Sequence, residues 1–288
     1  MPPLLIALYG IIGAVVGSFC NVVIDRVPEK QSLLAPRSRC PGCGRQLSSW
    51  ELLPVVSYLV LRGKCRTCGQ AIPPRVVLVE GITGVLFAVA LALFGWGFET
   101  IAVSLAVVFC VVLFVMDLEA MYVYDAIVYP AIVVAFLIAL GRMLLGQVRF
   151  SQAGILWGWL ARSILPGLTP AQAGAISQVL GGAIGFLLFW LIYVVAPWAM
   201  GLRKRGMDEA MGSGDTLLAA FCGLLVGFPG ILFAAFGSFI LGGVVAVILL
   251  VLKKVTRESY VPFGPFLLLM TLVYVFLGDV LLGSYLGI

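Results

Sequence analysis

Two aspartates carry the first chemistry this sequence offers. Asp117 closes an apolar run in Val115-Met116-Asp117-Leu118-Glu119, and Asp215 opens another in Gly212-Ser213-Gly214-Asp215-Thr216. Carboxylates at membrane depth are expensive and are kept for function or for a fixed partner. A close pair can share one proton. The ionised member then takes a proton from water, the neutral member donates to a carbonyl oxygen, and a peptide bond is hydrolysed. Gly212 and Gly214 would let backbone, or an extended substrate strand, come close to Asp215. The plainer alternative has each aspartate capping a helix or pairing with a loop arginine. Asp125 competes with Asp117: it follows Tyr124 at the same end of the membrane, or it caps the next helix. Residue physics leaves that choice open. Glu80, inside another apolar run, faces the site or pairs with Arg75. Asp25, Glu119, Asp208 and Glu209 read as solvated or paired groups near the interface. The chain has no histidine, which excludes the common His-based acid–base and metalloprotease arrangements.

Four cysteines carry the second chemistry. Cys40-Pro41-Gly42-Cys43-Gly44 and Cys65-Arg66-Thr67-Cys68-Gly69 are two Cys-x2-Cys pairs with a spacer of 21 residues. Each pair can turn two thiolates toward one ion, and the glycine after each second cysteine eases the turn. Four thiolates suit a closed, structural, tetrahedral Zn²⁺ site with no open position for substrate water. A reducing compartment argues against disulfides. Cys20, Cys110 and Cys222 lie in apolar segments and read as small hydrophobes.

The elements that must position these groups are membrane helices. Hydrophobic residues make up 62% of the chain and charged residues 11%, far from soluble composition. Eight apolar segments approach the length of a span: 4–25, 76–96, 99–117, 125–142, 172–199, 215–229, 231–252 and 262–284. The expected fold is all-α and polytopic. Residues 1–25 form the first transmembrane helix, 26–75 a cysteine-stapled loop domain, and 76–288 a transmembrane catalytic domain. The first segment lacks a basic stretch before its apolar run and reads as a retained span rather than a cleaved signal. The loop domain is too small to bury much core and needs a staple such as a metal. Residues 153–165, interrupted by Arg162, read as an interfacial or re-entrant helix. Glycine-rich stretches such as 181–185 and 237–243 suit close helix packing in lipid.

The net charge of +5 is explained by topology rather than by nucleic acid. The loops after the first, third, fifth and seventh segments hold 15 of the 18 basic residues, with Arg203, Lys204, Arg205 and Arg257 among them. That side is cytoplasmic by the positive-inside rule, and both termini then lie outside. Asp117 and Asp215 fall at the cytoplasmic ends of their segments, at one depth.

In combination these features resemble the bacterial prepilin peptidases, or type IV leader peptidases. The resemblance runs over roughly 10–250, through Gly17-Ser18-Phe19-Cys20-Asn21 to Asp25-Arg26-Val27-Pro28, the cysteine pairs, Trp50-Glu51-Leu52-Leu53-Pro54, Asp117, Asp125 and Gly212-Ser213-Gly214-Asp215. Tyr-Asp with Gly-x-Gly-Asp is also the pairing of presenilin-like proteases. The prepilin peptidase resemblance instead maps the catalytic pair onto Asp117 and Asp215, with Asp125 as a second acid. It implies cleavage of a basic leader from prepilins or pseudopilins after a glycine, at the cytoplasmic face of the inner membrane. It further implies N-methylation of the new terminus with S-adenosylmethionine as donor. Tyr124 stands where the family usually has proline, and Leu217 where it commonly has lysine. Two other classes compete. A proton- or cation-coupled transporter would use the same acids as relays near the midplane. An assembly scaffold would tolerate asparagine at both aspartates. Oligomeric state is left open.

Overall fold

The computed structural model describes residues 1–147, 167–199, 212–254 and 262–286. Helices account for the architecture: α1 (Pro3–Arg26), α2 (Val56–Val60), α3 (Pro74–Phe94), α4 (Phe98–Ala120), α5 (Asp125–Leu144), α6 (Pro170–Ala199), α7 (Ser213–Val226), α8 (Gly230–Val251) and α9 (Gly264–Leu286). Among the described residues there is no strand, only isolated bridges between Arg39 and Gln46 and between Lys64 and Ala71. Among the described residues six helices are long and apolar enough to cross a membrane: α1, α3, α4, α5, α6 and α8. The other two expected segments form shorter apolar helices over their described side chains, Ser213–Val226 and Gly264–Val280. α7 stops early because Gly227 turns out of the helix at φ 72° and Pro229 follows. The expected interfacial helix at 153–165 lies outside the described residues, as do Arg149, Arg203, Lys204, Arg205, Asp208, Glu209 and Arg257.

The chain forms two compact units, Met1–Val112 and Leu113–Ile288, with the boundary inside α4. In the first, α1 packs on α3 through glycine. A Cβ at Gly13 would sit 2.6 Å from the Phe87 Cβ, and one at Gly17 2.9 Å from the Glu80 Cα. Close backbone approach of this kind is what small residues permit where lipid offers no hydrophobic drive. Asn21 donates to the Val76 carbonyl at 3.0 Å and ties the end of α1 to the start of α3. Tyr9 stacks on Phe87 at 5.5 Å.

In the second unit α6 and α7 run antiparallel in close contact. Gly181 faces Gly223 so tightly that a Cβ at Gly223 would lie 2.1 Å from the Gly181 carbonyl oxygen. At the far end from Asp215, Gln178 donates to the Leu224 carbonyl at 2.9 Å, and Ser177 donates to the Phe228 carbonyl at 2.7 Å. α7 is buried nearly all round, which suits a helix apolar on every face. It is held within this unit by α5, α6 and α9.

Candidate functional site

Three helix ends and one loop build the acidic site, all within the second unit. Asp117 projects from the last turn of α4, and Asp215 is the third residue of α7. Each is only 5% exposed. The Asp117 charge acts directly on the Asp215 carboxyl, so the two side chains share one electrostatic environment. The Gly264 backbone N–H, at the start of α9, interacts with Asp117. Even so, Asp117 Oδ2 has no partner of good hydrogen-bond geometry among the described residues. A buried acceptor in that state costs roughly 1–3 kcal/mol, and a catalytic role is one of the reasons such a group is kept.

The loop between α4 and α5 completes the frame. Met121 donates its N–H to the Asp117 carbonyl at 2.9 Å and turns the chain at φ 50°. Val123, buried, then meets Gly214, where a Cβ would come within 2.7 Å of the Val123 Cβ. Gly214 therefore makes room for this loop. Gly212 is different: a Cβ there would lie 3.9 Å from Asp215 Oδ2, an ordinary contact and the nearest among the described residues. Asp125 is exposed as the first residue of α5, and the N-cap position belongs to Tyr124. Asp117 and Asp215 come together; Asp125 does not join them in the buried pair.

Glu80 has a structural partner. It is 5% exposed and accepts the Val55 N–H at 2.7 Å. Val55 sits at φ 62°, a strained region for a β-branched residue, so Glu80 anchors that turn to α3. Arg75 pairs with Asp25 at 2.5 Å.

The four-cysteine loop lies in the first unit. Cys40 and Cys65 begin two like turns: Cys40 N–H donates to the Arg45 carbonyl at 2.9 Å, and Cys65 N–H to the Gln70 carbonyl at 2.8 Å. Gly44 (φ 67°) and Gly69 (φ 71°) carry the left-handed step of each. The sulfurs of Cys40, Cys43, Cys65 and Cys68 all lie within 4.8 Å of one another, and Cys40 and Cys68 Sγ are 3.7 Å apart. A tetrahedron with metal–sulfur bonds of about 2.3 Å has edges of about 3.8 Å, so the residues fit a metal ion. The turn amides of Cys68 and Thr67 lower the Cys65 thiol to about 6, and those of Cys43 and Gly42 lower Cys40. Against the lowering pull of the Gln70 amide, burial and the other three sulfurs push Cys68 up to about 11. Crowded sulfur charge of this kind is what a bound cation relieves.

Sequence reasoning missed three contributors. Gly264 lies beyond the motif-bearing region, though the breaker cluster Pro262-Phe263-Gly264-Pro265 marked a special helix start. Val123 gave no signal. The Arg45–Glu51 pair, at 2.7 Å with the Glu51 side chain 2% exposed, links a cysteine turn to the Trp50-Glu51 motif. There Arg45 first, then Ser48, holds the Glu51 carboxyl down at about 2.

Comparison with known proteins agrees with the resemblance. Residues 11–94 match the model of the bacterial peptidase A24 N-terminal domain. A relative named prepilin leader peptidase/N-methyltransferase, from Myxococcus xanthus (strain DK1622), is 33% identical over 248 residues, covering 86% of this chain and 64% of its own length. Relatives of the same name from Neisseria gonorrhoeae and Aeromonas salmonicida (strain A449) are 29% and 28% identical, over 92% and 100% of this chain and 88% and 96% of theirs. No solved structure matches significantly. Residues 104–247, which hold Asp117, Asp215 and the glycines between α6 and α7, match the type IV leader peptidase model, and the chain belongs to that family.

Proposed function

We propose that this chain is a prepilin leader peptidase and N-methyltransferase, with Asp117 and Asp215 as the peptidase dyad. The observation that carries the assignment is the convergence of two buried acids from separate apolar helices, one with an unpartnered oxygen. A close carboxyl pair holds one proton between them. The ionised member takes a proton from water as the water oxygen attacks the peptide carbonyl, and the neutral member donates to the carbonyl oxygen. Collapse of the tetrahedral species returns a proton to the departing amine. Gly212 brings no side chain to the approach to Asp215, which suits an extended segment there, Gly214 seats the loop carrying Val123, and Asp125 stands at the rim.

The scissile bond follows a glycine between a basic leader and an apolar helix of a prepilin or pseudopilin. Its place is the membrane face at which α4 ends and α7 begins. The distribution of basic residues makes that face cytoplasmic, in a multi-pass inner-membrane protein with both termini outside. Residues 26–75 serve as a loop domain held by Zn²⁺ on Cys40, Cys43, Cys65 and Cys68, and the helices after it as the catalytic domain. The printed names of the relatives carry the second activity, in which S-adenosylmethionine supplies the methyl group to the new amino terminus. Both acids lie within a turn of a helix end, which speaks against a relay at the midplane.

The test is cleavage of a co-expressed prepilin, read as the mass lost with the leader. Asp117→Asn and Asp215→Asn each abolish cleavage while the protein persists in the membrane. Cleavage by both variants would refute the dyad.

A further inference from the structure

The start of α9 approaches the Asp117 carboxyl more closely than any side chain could tolerate. A Cβ built on Gly264 would sit 2.2 Å from Asp117 Oδ2 and 3.2 Å from its Cγ. It would also lie 2.8 Å from Leu218 Cδ2. Contacts that short do not occur, so either the helix start or the carboxyl must move. The helix start is held. Phe263, one residue before, packs against Phe189 and Phe239 with ring centroids 5.5 and 4.8 Å away. Pro265, one residue after, has its φ locked by its ring. The carboxyl is on a short side chain, and displacing it takes it out of register with Asp215.

Backbone conformation does not explain the glycine. Gly264 lies outside the left-handed region, so an L residue could adopt its dihedrals. What the position demands is empty volume. The other glycines near the acids behave differently: a Cβ on Gly212 makes only an ordinary contact with Asp215, and one on Gly214 meets Val123 rather than either carboxyl. The buried Asp117 Oδ2, without a partner of good geometry among the described residues, is aimed at this helix start, where the Gly264 N–H is the one amide turned to the Asp117 carboxyl.

The geometry points to Gly264 as a positioning residue of the peptidase reaction: its bare Cα is what lets the Asp117 carboxyl sit beside Asp215. The assignment rests on the dyad reading above. It places a determinant of catalysis on α9, outside the matched region 104–247.

The experiment is steady-state cleavage of a purified prepilin by the full chain in detergent, for wild type, Gly264→Ala, Leu218→Ala and the Gly264→Ala/Leu218→Ala pair. Thermal unfolding is measured on the same samples. Misplacement of a reacting group by about 1 Å costs on the order of 100-fold. Gly264→Ala is expected to lose about that factor in kcat, with KM for the prepilin changed by less than about threefold. Removing the Leu218 side chain relieves the packing clash but not the one with Asp117. The stability loss caused by Gly264→Ala is therefore expected to be smaller in the Leu218→Ala background than in wild type, while its loss of kcat stays the same. Wild-type kcat in Gly264→Ala, or recovery of kcat in the double variant, overturns the proposal, because the loss would then be packing alone. Asp117→Asn and Asp215→Asn are assayed alongside. If these still cleave, the dyad reading falls and takes the inference with it. If they are inactive and Gly264→Ala is not impaired, only the inference falls.

Discussion

Single residues separate chemistry from support in this chain, and burial draws the line. Asp117 and Asp215 are buried together, while Asp125 is solvent-exposed. Asp125→Asn is accordingly expected to retain measurable prepilin cleavage where either dyad variant retains none. Glu80 is an anchor, so its variants should move stability. Glu80→Gln keeps an acceptor for the Val55 N–H, whereas Glu80→Ala leaves that donor unpaired, at a cost of roughly 1–3 kcal/mol. Thermal unfolding of the two variants checks this, and equal midpoints would contradict it. Glu51 supplies a pH signature. Its folded pKa, about 2, lies below its ordinary value of 4.5 because Arg45 and then Ser48 hold the ionised form. A depressed acid contributes stability above its unfolded value and loses it as pH falls through the folded one. The gap in unfolding midpoint between wild type and Glu51→Gln should thus be full above pH about 4.5 and shrink toward pH about 2.

At the scale of elements, the α6–α7 contact holds Asp215 in place. Gly181 and Gly223 let the two backbones touch, and the Ser177 and Gln178 hydrogen bonds lock the register at the opposite end of α7. Gly223→Ala puts a methyl 2.1 Å from the Gly181 carbonyl, and overpacking of this kind destabilises by about 1–3 kcal/mol. Because α7 carries Asp215, cleavage should fall with it. Gly243→Ala, where a Cβ meets nothing within 4 Å among the described residues, is expected to stay within about 0.5 kcal/mol of wild type. Unfolding curves in detergent decide both, and a neutral Gly223→Ala would mean the helices can separate without loss.

For the whole molecule, the two buried acids and the four-cysteine cluster belong to different compact units. The cysteine loop falls in Met1–Val112, and both acids fall in Leu113–Ile288. A small loop stapled by metal unfolds when the metal leaves, but the helices of the second unit owe it no ligand. The paired variant Cys40→Ser/Cys65→Ser should lose bound Zn²⁺ by elemental analysis. It should also become trypsin-sensitive between Arg26 and Arg75, with the Leu113–Ile288 unit still protected. An unchanged digestion pattern would show that the loop folds without the ion.

The sequence by itself determined the class of fold, the two cysteine turns and the two acids. Each of these is written locally: apolar length sets a span, Cys-x2-Cys sets a turn, and a carboxyl in an apolar run is conspicuous wherever it points. It also placed eight apolar segments at close to the positions of the helices. Residue physics left open which acid meets Asp215 and the family resemblance favoured Asp117; that pairing is met in the tertiary structure, because Asp117 is buried in the last turn of α4 while Asp125 is exposed at the start of α5. Tertiary structure alone decided that Glu80 holds Val55 rather than Arg75, that Gly214 accommodates Val123, and that Gly264 abuts Asp117. Those relations join residues far apart in the chain or across a turn. They depend on helix rotation and on distances of a few ångströms, which hydrophobic periodicity does not encode when helices are apolar on every face.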